Sequence, residues 1–275
     1  MEVILAEYLG FCYGVKRAIQ TARDNATAAG GASTLGPIIH NPQMVERLQS
    51  EGIGTINSLG DMKAGTVIIR SHGVGPTVYA EAEERGLNLV DATCPHVKKA
   101  QMSAKELAED GYRVVIVGER NHPEVKSIVE WADGDAVIVE SVAEAQKLQP
   151  VEKLGIVSQT TFSGSKFKEI VAELLELSRD VRILRTICTA TDQRQAAAAH
   201  LAGQVDMMLV IGGKNSANTT RLAQLCTARC PTYHIETAEE LQPQWFQNVN
   251  RIGITAGAST PDWIIREVCT QCQRI

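Results

Sequence analysis

Short apolar runs alternate along the chain with longer amphipathic stretches, and the alternation predicts an α/β protein. Residues 2–6, 33–35, 54–56, 66–69, 87–90, 112–117, 136–139, 154–157, 181–184, 206–211, 232–235 and 251–254 read as strands. Helical patterns fill 15–29, 43–51, 76–85, 97–109, 166–177, 192–203, 219–227 and 262–269, with one more opening after the polar loop 118–124. Gly30-Gly31 is expected to stop the first helix. Tyr112 to Val117 is the strongest central-strand candidate.

The order of elements recurs. A strand enters Cys12, another enters Cys94 and a third enters Cys188, each just before a helical pattern. The third cycle lacks its last strand, and residues 2–6 supply it. The chain therefore divides into units 13–95, 96–187 and 188–275, the last completed by 1–12, so that the repeat closes through the termini. Parallel strands covered by helices are expected in each unit, with ligand-binding loops at the strands' carboxyl ends. No full Gly-x-Gly-x-x-Gly follows the first strand, which disfavours a dinucleotide fold.

Composition narrows the class. The 275 residues can bury roughly three-quarters of their unfolded surface. With 44% apolar and 21% charged residues the chain reads as an ordinary globular protein, and a net charge of -5 without a basic arm argues against nucleic-acid binding. No stretch reads as a secretory signal or is long enough to insert in a membrane. Seven scattered cysteines, an odd number, fit reduced thiols or metal ligation rather than a disulfide scaffold, and favour a cytoplasmic location.

Cys12, Cys94 and Cys188 at three equivalent junctions point to one metal centre, and a helix start favours the thiolate that ligation needs. Zinc would want a fourth ligand, with His72 or His122 available. An iron-sulfur cubane held by three cysteines would leave one iron open to substrate oxygen. Spacing leaves both open. Cys226, Cys230, Cys269 and Cys272 read as packing or surface thiols, and His96, His200 and His234 as packing or surface residues.

Gly10-Phe11-Cys12-Tyr13-Gly14-Val15-Lys16-Arg17-Ala18-Ile19 resembles the 4-hydroxy-3-methylbut-2-enyl diphosphate reductase family. The resemblance continues through Ile39-His40-Asn41-Pro42, Ser71-His72-Gly73-Val74, Asp91-Ala92-Thr93-Cys94-Pro95 and Asn121-His122-Pro123-Glu124-Val125. It returns at Ser158-Gln159-Thr160-Thr161, Ile187-Cys188-Thr189-Ala190-Thr191, Lys214-Asn215-Ser216-Ala217-Asn218 and Thr255-Ala256-Gly257-Ala258-Ser259. These blocks span nearly the whole chain in family order.

The resemblance implies three related α/β units in a pseudo-threefold, trefoil-like arrangement around a central iron-sulfur site. It implies a [4Fe-4S] cluster on Cys12, Cys94 and Cys188 with one open iron, and a [3Fe-4S] form after iron loss. The expected reaction takes an allylic diphosphate, two electrons and two protons, and yields isopentenyl and dimethylallyl diphosphate. Glu124 is expected to deliver protons, through water and Thr160, with His122 closest to that machinery. His40, His72, His122, Thr160, Thr161, Ser216, Ala217, Asn218 and Ser259 match the substrate-binding positions. Ala217 stands where relatives often have a second serine, so one hydroxyl contact is missing. Ferredoxin or flavodoxin is the expected electron donor; the oligomeric state stays open. The alternatives are an iron-sulfur electron-transfer or sensor protein and a zinc-dependent phosphate-processing enzyme.

Overall fold

A computed structural model describes residues 1–27, 31–62 and 64–274. Every sheet in it is parallel and four-stranded, and the strands follow one scheme. The first sheet comprises β2 (Ala32–Leu35), β3 (Ile53–Ile56), β4 (Thr66–Ile69) and β5 (Asn88–Asp91), in the order β3-β2-β4-β5. The second comprises β6 (Arg113–Val117), β7 (Val137–Val139), β8 (Lys153–Ser158) and β9 (Asp180–Leu184), in the order β7-β6-β8-β9. The third comprises β10 (Met207–Ile211), β11 (Thr232–Ile235), β12 (Arg251–Ala256) and β1 (Glu2–Leu5), in the order β11-β10-β12-β1. The N-terminal strand thus holds the edge position that β5 and β9 hold elsewhere.

The continuous apolar runs arise because the central strands are covered on both faces. In β10, Met207, Leu209 and Ile211 enter one core with Ile252, Ile254 and Val268, while Met208 and Val210 enter another with Leu201 and Leu222. β6 divides likewise: Val115 and Val117 face Leu154 and Phe167, and Val114 and Ile116 face Leu107 and Ile128. Full burial of each such side chain contributes about 1.5–3 kcal/mol.

The helices are α1 (Tyr13–Asp24), α2 (Pro42–Ser50), α3 (Pro76–Glu84), α4 (Pro95–Glu109), α5 (Pro123–Trp131), α6 (Val142–Ala145), α7 (Gly164–Leu174), α8 (Thr189–Ala202), α9 (Ala217–Thr227) and α10 (Asp262–Cys272). Four open on proline, whose fixed φ suits the first helical position and whose missing N–H costs nothing there. α3 and α4 end in Schellman turns: Leu87 N–H donates to Ala82 O and Tyr112 N–H to Leu107 O, with Gly86 and Gly111 at positive φ between them.

α1 is shorter than its sequence pattern predicts. It ends at Asp24, and Asn25 Nδ2 closes the turn on Thr21 O at 2.9 Å, a competing side-chain bond of the kind that stops helices. The expected stop at Gly30 falls outside the described residues. α7 starts early because Ser163 caps it, and residues 175–177 continue as a 3-10 turn.

By packing, the chain forms two compact units. One comprises Met1–Lys16, Ile39–Glu46 and Thr189–Ile275 and carries the third sheet; the other comprises Arg17–Ile38 and Arg47–Cys188 and carries the first two. No helix among the described residues is long and apolar enough to cross a membrane.

Candidate active site

Each of the three cysteines sits immediately before a helix and is anchored in the same way. Cys12 precedes α1, and its N–H donates to Ala258 O at 3.2 Å. Cys94 caps α4 and donates to Ser71 O at 3.0 Å. Cys188 precedes α8 and donates to Thr160 O at 3.0 Å. In every case the acceptor lies two residues beyond the end of the neighbouring strand: β12, β4 or β8. Three thiols are thereby presented by one backbone device used three times.

None of the three is in a disulfide, and all are partly exposed. Soft sulfur donors of this kind suit iron-sulfur clusters. Partly exposed thiols outside any disulfide fit that role. Cys226 and Cys272 do not. Both are fully buried among aliphatic side chains, and burial pushes their thiols up to about 12 and about 11.

A buried titratable carboxyl lies in the unit carrying the first two sheets. His122 caps α5, Pro123 takes the first helical position, and Glu124 the second. Glu124 is 2% exposed. Thr160 N–H donates to its Oε1 at 2.6 Å, and Thr160 Oγ to its Oε2 at 2.9 Å. Burial raises the Glu124 pKa to about 7; the Thr160 bonds pull the other way, and Glu119 adds a smaller upward push. A carboxyl poised there can give or take a proton near neutrality.

Thr160 therefore joins two parts of the site: its side chain and N–H hold Glu124, and its carbonyl holds Cys188. His122 Nδ1 accepts from Glu124 N–H at 3.2 Å, so a neutral His122 carries its proton on Nε2. The His72 ring meets His122 edge-on, with centroids 5.4 Å apart. Thr161 Oγ accepts from Gln159 Nε2 at 2.9 Å, and Gln159 Oε1 accepts from Glu119 N–H, also at 2.9 Å.

In the other unit, Ser259 Oγ donates to His40 O at 3.1 Å, and Ser259 directly follows the carbonyl that holds Cys12. Ser216 caps α9 by accepting from Thr219 N–H at 3.4 Å. Ala217 and Asn218 are the next two residues, so Asn218 occupies the helical position that Glu124 occupies in α5. Asn218 is 5% exposed, and neither atom of its amide has a partner among the described residues. A buried amide without a partner costs about 1–3 kcal/mol, so it is suited to a ligand that will satisfy it. His40, His122 and Ser216 each lie five residues beyond the end of the first strand of their sheet. The hydroxyls of Ser216 and Ser259 already serve the protein.

Several supporting residues escaped the sequence reading. Ser127 is buried, accepts from Gln101 Nε2 at 3.0 Å, and lies within bonding reach of Glu124 O and His72 O, at 2.7 and 3.2 Å. His234 Nε2 donates to Gly212 O at 2.8 Å and steadies the loop leading to Ser216. Glu140 and Glu236, each one residue past a strand, accept from Arg120 N–H and Lys214 N–H at 2.6 Å. A readable signal existed for the last pair. Ser58-x-x-Asp61, Ser141-x-x-Glu144 and Thr237-x-x-Glu240 are capping-box patterns at the same place in each repeat. Their carboxylates accept from the N–H groups of Asn57, Glu140 and Glu236.

Comparison with known proteins agrees over the full length. A family model described as LytB protein matches residues 3–273. The chain is 52% identical over 274 residues to the 4-hydroxy-3-methylbut-2-enyl diphosphate reductase of Geobacter sulfurreducens, covering 99% of this chain and 97% of that protein. It is 46% identical over 280 residues to the enzyme of that name from Aquifex aeolicus, covering 100% and 97%. A solved structure of (E)-4-hydroxy-3-methyl-but-2-enyl diphosphate reductase, the terminal enzyme of the non-mevalonate pathway, matches all of both chains with a TM-score of 0.73 and 47% identity. The E-1-hydroxy-2-methyl-but-2-enyl-4-diphosphate reductase structure from Plasmodium falciparum gives a TM-score of 0.93 at 30% identity, covering 98% of this chain and 87% of that one.

Proposed function

Because the chain belongs to the LytB protein family, we propose that it is the reductase that removes the hydroxyl of 4-hydroxy-3-methylbut-2-enyl diphosphate. The overall change takes substrate, two electrons and two protons to water and isopentenyl or dimethylallyl diphosphate. One proton leaves with the hydroxyl as water; the other ends on the allylic carbon skeleton. The observation that carries the reading is Glu124, a fully buried carboxyl with its pKa raised to about 7, bonded to the residue whose carbonyl anchors Cys188.

In this reading Cys12, Cys94 and Cys188 hold a [4Fe-4S] cluster with one iron free of protein ligands, or [3Fe-4S] once that iron is lost. When bound, the cluster supplies electrons and a Lewis-acidic iron for the hydroxyl. The chain's own residues do the rest. Glu124 releases its proton toward the departing hydroxyl by way of the Thr160 hydroxyl and water. Protonation matters because hydroxide is a poor leaving group. Asn218 offers its unsatisfied amide to the diphosphate, helped by backbone N–H groups at the start of α9. His40, His72 and His122, with Thr161, Ser216 and Ser259, surround and orient the same group. Ala217 contributes only its backbone.

Cys12, Cys94 and Cys188 then lie beside the sequence boundaries of the repeats 13–95, 96–187 and 188–275 with 1–12. The reaction is placed in the cytoplasm, with ferredoxin or flavodoxin supplying electrons. The direct test is anaerobic turnover of the allylic diphosphate with a chemically reduced low-potential dye. The reading requires both isoprenoid diphosphates as products and their loss in Glu124→Gln. Stable cluster spectra with no conversion would favour an electron-transfer or sensor protein instead.

A further inference from the structure

We propose that the unit carrying the first two sheets contains a second anion-binding site, built on the Arg70 guanidinium and fitted to a small phosphate- or carboxylate-bearing molecule. Arg70 follows β4 and lines a cavity of about 290 Å³. Lys126, Asn57 and Ser58 add a second cation and neutral polar groups to the same wall, and Glu81 and Glu130 complete its charged lining. None of His72, His122, Glu124 and Thr160 lines it.

Three observations point to an anion. First, Arg70 is largely withdrawn from solvent, burial alone pulls its pKa below the usual arginine value, and its Nε is buried with no acceptor among the described residues. A guanidinium so placed loses hydration without an ion pair to compensate, and an oxyanion that accepts two N–H bonds side by side, carboxylate or phosphate, is its best-matched partner. Second, Gly36 clears the space it occupies: at φ +71°, a Cβ there would collide with Arg70 Nη1. Third, the two carboxylates are already engaged. Glu81 pairs with Arg85 at 2.9 Å, and Glu130 accepts from Thr77 Oγ at 3.3 Å. The cations Arg70 and Lys126 make no ion pair with a described residue. Ser127, whose hydroxyl reaches Glu124 O and His72 O, also lines the cavity, so this wall is continuous with the acid–base loop.

The test pairs a structural with a solution readout on the cluster-containing protein. Crystals soaked in tungstate, a heavy phosphate analogue, should show an anomalous peak within hydrogen-bond reach of the Arg70 guanidinium, absent in Arg70→Met. In thermal unfolding against rising inorganic phosphate, wild type should gain a stabilising phase that Arg70→Met loses or shows at least about tenfold more weakly. A substrate-site phase common to both proteins would cancel in this comparison. Repeating the series with citrate separates the two ligand sources, and a response to either supports the site. Should Arg70→Met fail to fold, Lys126→Met and Arg70→Lys carry the test, each expected to weaken the phase several-fold. Identical responses of wild type and folded variants to both phosphate and citrate overturn the proposal.

Discussion

Replacing Glu124 with glutamine tests the electrostatics of the acid–base loop on a scale the structure sets. Burial lifts the carboxyl from an ordinary 4.5 to about 7. For an acid, a folded pKa above the unfolded one means that the native state binds the extra proton. Stability therefore carries no penalty below about pH 4.5, falls as pH rises, and reaches its full loss above about pH 7. The difference corresponds to about 3 kcal/mol. Glutamine cannot ionise, so the variant should lack this slope. At about pH 8 it should exceed wild type in stability by up to that amount. The gain is reduced by about 1 kcal/mol for each Thr160 bond that the amide cannot accept. The assay is urea unfolding of wild type and Glu124→Gln, both cluster-free and thiol-reduced, between about pH 5 and about pH 8. All other titrating groups are shared, so the difference between the two curves isolates Glu124. Parallel curves would refute the assignment of a raised pKa. Activity should move oppositely, falling about 10²–10⁴-fold with the loss of a positioned acid.

Thr160→Val removes a bond that holds the Glu124 pKa down; the alkaline limb of the activity profile should shift to higher pH while turnover falls. Serine at Cys12, Cys94 or Cys188 should cost iron and sulfide on reconstitution, whereas Cys226→Ser and Cys272→Ala should retain both, because those thiols are buried in aliphatic cores; metal analysis with electron paramagnetic resonance decides. Leu107→Ala, at a fully buried position beneath β6 and β8, should cost about 2–5 kcal/mol in unfolding free energy with the cluster content of the surviving protein unchanged.

The sequence carried the strand and helix order well because two signals agreed. Runs such as Met207 to Ile211 are apolar without interruption, as strands covered on both faces must be, and proline marks the first turns of α2, α3, α4 and α5. The placement of residues 2–6 in the third repeat was also readable, since that repeat lacked a strand before its cysteine; β1 indeed pairs in parallel with β12. Helix ends were less legible. α1 stops at Asp24 because a single side chain, Asn25, turns back on the backbone, and no periodicity anticipates that bond.

Site residues divided along the same line. The three cysteines and Glu124 stand out in the sequence by residue type and by their place just before or at the start of a helix. The groups that hold the cysteines use backbone atoms, and so leave no letter to read: Ala258, Ser71 and Thr160 act through their carbonyls. Ser127 and Gln101 look like ordinary polar positions on helices until both prove buried and bonded to each other. The unpartnered amide of Asn218 is likewise visible only in three dimensions, because a cap-adjacent asparagine is commonplace in sequence.

The measurement that tests the central claim most directly is anaerobic Mössbauer spectroscopy of the iron-reconstituted protein with and without the allylic diphosphate. A three-cysteine cluster that engages the substrate hydroxyl predicts a change confined to a single iron on adding substrate. Four irons unmoved by saturating substrate would contradict it and return Cys12, Cys94 and Cys188 to an electron-transfer or sensing role.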